Sequence, residues 1–501
     1  MTKFKNFVVG FLSILFLLIF SFLFGLSLFT TGLNKIYEKE IPVLVNDNVF
    51  INIILIALTI IVFYILYKFA KKYIDRNVLL LVCVIVCVGF SILWVLSSNE
   101  EPIADQTAVC LFAHYFNEYN YFGLNRGEYV GIYQQQLGLI HVIQLVYEFF
   151  GDSNHTAFQL MNTLFIGLYV VSNDMIIRNS HLKYKDDAEI FYLLLAMGFA
   201  PLFIYSDFVY GDVMSIGCIS LCLWMLISFI NDAKVYKLLL AIFSGFLSSY
   251  VRLNSVIFII AAILVLLVSM ITEFNKKKIF ALLGVVLAGI MALKVPEMVY
   301  GIYIPEDSYS MPPTLHISMG MQGDAGWYND YNIITYQSTN YDPNEANNWA
   351  KEDINNRLDE FKKNPNEALN FYYNKINLQW NSPMFQAFVM NQSFKGNTGR
   401  IATTIYKGSV NKILNVVVNC HQMFVYLMCV VFSINIFKDR ENIKMEELIF
   451  VVFVIGGFFF SILWEAKTRY ILPYYSVLLI EAAFGFSYLK NKLFANRHLF
   501  N

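Results

Sequence analysis

The sequence predicts an all-α polytopic membrane protein of about twelve transmembrane helices, with a large, partly helical loop subdomain on the outer face. Three observations carry that prediction. The composition is 57% hydrophobic and 15% charged with a mean hydropathy of +0.54, far from the balance of a soluble domain. Apolar runs near the ~20 residues that a spanning helix needs recur from one end of the chain to the other. Short loops rich in Lys and Arg, the mark of a cytoplasmic side, punctuate them.

The runs fall at 6-30, 49-67, 77-97, 136-150, 158-177, 188-206, 210-230, 235-250, 255-272, 279-296, 413-436, 447-464 and 471-489, thirteen in all. The first is too long for the apolar core of a signal peptide and lacks a small-residue cleavage site, so it reads as the first span. Lys3 and Lys5 put the N-terminus inside, and Lys68, Lys71, Lys72 and Arg76 put the loop before the third span inside. Residue 98 then emerges outside. If 136-150 crossed, the basic loops holding Arg178, Lys183 and Lys185, Lys234 and Lys237, Lys276 to Lys278, Lys438 and Arg440, and the tail with Lys490, Lys492 and Arg497 would all fall outside. A helix lying along the outer interface returns them to the cytoplasm, and its Gln136, His141, Gln144 and Glu148 suit that position.

The organisation that follows has two N-terminal spans in 1-76, a transmembrane catalytic core in 77-296 with an outer loop at 98-157, an outer-face subdomain in 297-412, and C-terminal spans with a cytoplasmic tail in 413-501. Asp342-Pro343-Asn344-Glu345 and Asn364-Pro365-Asn366-Glu367 each place a capping side chain before a Pro, predicting helices near 343-363 and 365-380. Phe371, Tyr372, Lys375, Leu378 and Trp380 give the second a face that can rest on the membrane-side core. A net charge of −1 excludes a generally basic nucleic-acid binder, and the seven Cys show no metal-ligand spacing.

Four constellations carry candidate chemistry, all on the outer side. Glu100-Glu101-Pro102-Ile103-Ala104-Asp105-Gln106 follows the third span, where an acid can serve as a general base; a solvated acidic cap is the plain alternative. Tyr133 and Gln134 nearby are of the types that hold sugars by stacking and hydrogen bonding. Asp207 and Asp212 share one short turn, with Asp212 equally suited to capping the next helix. Arg252, Lys467 and Arg469 are cations at outer boundaries, where the positive-inside bias makes them unexpected and a phosphate or an acid such as Glu465 is the natural partner. His316, Trp327 and Tyr328 belong to a Gly- and aromatic-rich segment, Met319 to Tyr331, that suits a mobile substrate loop or an ordinary surface loop.

Together these segments resemble the multi-spanning glycosyltransferases of the C-type fold, in particular the bacterial relatives of protein O-mannosyltransferases and of the lipid A aminoarabinose transferase, over most of 77-490. The resemblance implies that Asp105 is the catalytic carboxylate, that Asp207 or Asp212 holds acceptor or metal, and that Arg252, Lys467 and Arg469 bind the donor phosphate. It implies an inverting transfer from a polyprenyl-phosphate-linked sugar to a glycan, lipid or protein acceptor at the cell membrane's outer face. No cofactor is assigned and a divalent cation stays open. The sequence departs from the better-known members in having Asp105-Gln106 in place of an Asp-Glu pair, in having Tyr133-Gln134-Gln135-Gln136 in place of a Lys-Pro-Pro segment, and in its two extra N-terminal spans. A flippase or transporter of a lipid-linked saccharide is the rival, with Asp174 as the residue it would claim. A scaffold or polymerase of a surface polysaccharide is the third reading.

Overall fold

The computed structural model describes residues 2–33, 42–391 and 398–495. Apart from a short antiparallel hairpin, Thr30–Leu33 with Val43–Asn46, its regular elements are helical. Among the described residues ten helices are long and apolar enough to cross a membrane: Thr2–Phe29, Val49–Tyr73, Arg76–Ser98, His155–Asn179, Asp212–Asp232, Leu253–Thr272, Lys276–Tyr303, Gly408–Lys438, Met445–Leu463 and Thr468–Leu493. The expected span at 188-206 is instead a pair, Lys185–Met197 and Ala200–Asp207, bent by 52° where Pro201 removes a donor from the helical ladder. The helix Val235–Val251 is apolar but shorter. These are the segments that the sequence marks as spans, without 136-150.

That excluded run forms the helix Leu137–Phe150, and its 14 residues reach only about 21 Å, short of the ~30 Å hydrocarbon core. It lies against the bundle because Gly138 lets the backbones meet: a Cβ there would stand 2.0 Å from the Tyr250 carbonyl oxygen. Two of its polar residues are partnered with protein, whereas Glu148 is exposed. His141 Nδ1 is 2.6 Å from the Tyr250 hydroxyl, and the Tyr300 hydroxyl donates to Gln144 Oε1 over 2.6 Å.

The loops sort to two ends of the bundle. At one end, contacts link the segments near residues 30, 98, 105, 209, 252, 381, 390 and 469, as in Gly399 N to Ser98 O (2.9 Å) and Gly32 N to Asn381 O (2.8 Å). At the other, ion pairs join the basic loops to acids of neighbouring helices: Lys71 and Lys490 with Asp187, Arg76 and Arg178 with Glu189, Lys183 with Asp439, and Lys278 with Glu446. The basic loops that the charge count groups on one side thus lie at the end away from Asp105.

The two helices expected in the outer subdomain form over Pro343–Lys363 and Pro365–Trp380, capped by Asp342 and Asn364. Asp342 Oδ1 accepts from Asn344 N and Glu345 N at 2.8 and 3.1 Å, satisfying donors that the helix start leaves unpaired. The second helix drives its C-terminus into the bundle. Trp380 is fully buried, its Nε1 donates to Ser461 Oγ (3.0 Å), and its carbonyl accepts from Gln422 and Tyr426. Asn381 and Asn377 tie the same turn to Thr30 of the hairpin. Trp380 is therefore the pin between the subdomain and the membrane helices. Trp380→Ala should cost about 3–5 kcal/mol and Ser461→Ala about 1 kcal/mol, by truncation of a buried aromatic and loss of one hydrogen bond. Thermal unfolding of the purified protein in detergent checks the order; equal, small losses would mean that the subdomain is held elsewhere.

Candidate functional site

The site is built where the helix Asp105–Asn117 begins. Ala104, which precedes it, has φ 51° and ψ −128°, a conformation that L-residues adopt at a cost, and the chain turns there so that Asp105 stands at the first position of the helix. The helix N-terminus favours a carboxylate at that place. Gln106 is buried and holds two other segments. Its Nε2 donates to Met390 O (2.9 Å) and its Oε1 accepts from Val209 N (2.8 Å), which ties the helix start to the 205–211 turn.

Asp105 is directed at Arg469, with Oδ2 3.4 Å from Nη2. The two differ sharply in exposure, 42% for the Asp105 side chain and 2% for Arg469. Arg469 stacks on Phe208, Tyr210 and Tyr470, with ring centroids 5.6, 5.1 and 5.6 Å away, and its Nε and Nη1 have no hydrogen-bond partner among the described residues. Arg252 lies over the same Tyr210 and Tyr470 rings at 5.1 and 5.4 Å. Its Nε is 3.2 Å from Asp212 Oδ1, and its Nη2 is likewise unpartnered. Two guanidiniums, that of Arg469 buried and that of Arg252 nearly so, thus share a tyrosine pair, each ion-paired with one acid. The Tyr470 hydroxyl donates to Glu465.

Around this core stand Tyr129, Tyr133 and Tyr328. Burial raises the phenol pKa of all three, and the negative charge of Asp105, close enough to act on each, raises them further. Lys467 Nζ sits 4.9 Å over the Tyr328 ring. Trp327 pairs with Ala466 along the backbone, Ala466 N donating to Gly326 O over 2.7 Å. Two glycines of this segment, Gly320 and Gly326, sit in close backbone packing, whereas Gly323 has open space around it. A Cβ on Gly326, at φ 67°, would meet Gly320 O at 2.0 Å, and one on Gly320 would meet the Trp464 backbone at 2.6 Å.

Of the other sequence candidates, His316 stacks on Trp464 at 4.9 Å behind this segment, and burial lowers its pKa. Gln134 donates to Ser308 O over 3.4 Å. The two acids of the short turn part company: Asp212 faces Arg252, whereas the buried Asp207 carboxyl lies by Trp94, Ser98 and Glu100. Among the described residues no group of three His, Cys, Asp or Glu side chains gathers as a metal-ligand set. Sequence reasoning assigned no role to Tyr210, Tyr470 or Gln106. Only the Arg469-Tyr470 adjacency carries a signal, since an aromatic ring next to a cation offers a face for stacking; no neighbouring cation marks Tyr210.

Lys375 lies under the site, fully buried, donating to Gly320 O. Burial pushes its pKa down to about 7, against an opposing pull from Glu465. A lysine near 10.4 when unfolded then binds more protons in the unfolded state between pH 7 and about 10, so stability rises with pH across that window, and the burial penalty is fully present below it. Melting temperatures should climb from pH 7 to pH 9.5 in the native chain and climb less in Lys375→Met; parallel curves would place the titration elsewhere.

No family model matches the chain, and no curated protein matches it. Among solved structures it is similar to the archaeal oligosaccharyltransferase AglB from Archaeoglobus fulgidus, determined in complex with an inhibitory peptide and a dolichol-phosphate, with a TM-score of 0.44 and 12% identity over 86% of this chain. The match spans 52% of that structure, so this chain corresponds to about half of its length.

Proposed function

We propose that the protein is a membrane glycosyltransferase that moves a sugar from a polyprenyl-phosphate-linked donor to a hydroxyl of a glycan, lipid or protein acceptor. One observation carries the reading: Arg252 and Arg469 converge on Tyr210 with unpartnered buried N–H groups beside a half-exposed carboxylate. Buried guanidiniums are costly unless anions meet them, and their planar donor array matches the oxygens of a phosphate. Among the described residues each is ion-paired with one acid, which leaves donors for a ligand.

In the reaction, Asp105 takes the proton of the acceptor hydroxyl as its oxygen attacks the anomeric carbon from the face opposite the phosphate. The bond from that carbon to the phosphate oxygen breaks, its electron pair leaves with the phosphate, and Arg252 and Arg469 stabilise the charge as it develops. Inversion follows from attack on the far face. Asp212 fixes Arg252, Tyr133 and Gln134 contact sugar, and Trp327, Tyr328, Lys467 and His316 shape the wall over the substrate. The site faces outward and both termini lie in the cytoplasm, because the basic loops gather at the opposite end. A flippase would keep ionisable groups for the midplane, yet Asp174 is committed to Arg178 (2.7 Å), which also holds Glu189 (2.8 Å).

Purified protein with a polyprenyl-phospho-sugar and candidate acceptors should form product without any membrane gradient. Asp105→Asn should lower the rate about 10²–10⁴-fold, the range for loss of a general base, at unchanged melting temperature. Arg469→Ala should lower it about 10²–10³-fold through lost charge stabilisation. Full activity in Asp105→Asn sinks the assignment, and vectorial movement without bond exchange supports the flippase instead.

A further inference from the structure

At the end of the bundle opposite Asp105, about 30 Å along the helix Asp212–Asp232, four inter-helix turns enclose a cavity of about 260 Å³ that the transfer reaction does not use. Its charged lining is balanced: Lys277, Lys278 and Lys444 against Glu273, Glu446 and Glu447. Lys278 is fully engaged, donating to Ser269 Oγ (2.8 Å) and paired with Glu446 (2.7 Å) and Glu273 (3.2 Å). The others keep capacity. Glu447 Oε1 accepts from Ser180 Oγ and the His181 amide, whereas its Oε2 is buried with no hydrogen-bond partner among the described residues. Lys444 Nζ lies 2.8 Å from His181 Nε2 and Lys277 Nζ donates to Asn231 O over 3.0 Å, each using one of an ammonium's three protons.

A buried carboxylate oxygen needs a donor, and two ammoniums with spare protons need an anion. A bare anion or a bare cation satisfies one requirement and meets like charge at the other. We propose that this cavity binds a zwitterion carrying a phosphate and a primary ammonium, the phosphate on Lys277 and Lys444 and the ammonium on Glu447 Oε2. A quaternary ammonium cannot take the second place, because it has no N–H to donate. Ile227 and Ile230 give the cavity an apolar wall at the bilayer boundary, so the same chemistry reaches it as an ethanolamine phospholipid headgroup or as free phosphoethanolamine.

The test uses the purified full chain, with lipid binding counted by native mass spectrometry and soluble ligand by thermal shift. Phosphatidylethanolamine should bind at least about tenfold more tightly than phosphatidylcholine or phosphatidylglycerol, the worth of one charge-assisted hydrogen bond. Phosphoethanolamine should raise the melting temperature where inorganic phosphate does not, if the free compound is the ligand; preference among the lipids alone identifies the headgroup as the source. Glu447→Gln, which retains the acceptor for Ser180 and His181, and the exposed Lys444→Ala should each abolish the preference. Equal binding of ethanolamine and choline lipids with no phosphoethanolamine shift, an equal response to phosphate alone, or an unchanged preference in both variants overturns the proposal.

Discussion

Two positive charges buried around one tyrosine ring are the constraint on which the rest of the site depends. Arg252 and Arg469 approach Tyr210 from different helices, and neither has enough acid around it to use its donors fully. Charges in that position are tolerated when surrounding structure holds them and when an anion completes their shell. Much of the architecture at this end of the bundle serves the first requirement. Gln106 locks the start of the Asp105 helix to the 205–211 turn, Gln386 Oε1 accepts from Arg469 N, and Tyr470 is held by Glu465.

The segment between the spans Lys276–Tyr303 and Gly408–Lys438 has the same dependence. Its second helix reaches the bundle through Trp380, and its Gly320 to Trp327 segment pairs with the backbone at Ala466, three residues before Arg469. That segment therefore braces the stretch that carries Lys467 and Arg469. Lys375, buried between them, gives that brace a protonation state that changes near neutral pH.

Much of this was legible in the chain. Run length and loop charge gave the spans and excluded 136-150, because a period of apolar residues and a Lys or Arg excess act through local composition. The Asp342 and Asn364 caps were legible for the same reason: their donors lie two or three residues away. Asp105, Asp212, Arg252 and Arg469 stood out as charges at span ends, where charge is costly. What composition does not carry is convergence across hundreds of residues. Nothing local tells that Tyr210 sits between two guanidiniums, that Asp207 turns toward Trp94 while Asp212 turns toward Arg252, or that Gly320 and Gly326 exist for backbone contact. His141 and Gln144 misled in the other direction: polar residues on an apolar helix suggest water, yet tyrosines of neighbouring helices meet them.

The central claim is that the paired guanidiniums receive a lipid-linked phosphate, and its most direct measurement is the affinity of a short polyprenyl phosphate for the purified chain. The native protein should bind it saturably. Arg252→Ala and Arg469→Ala should each weaken binding about 10- to 150-fold, the worth of a hydrogen bond to a charged group of roughly 1.5–3 kcal/mol. Affinity unchanged in both variants would contradict the account.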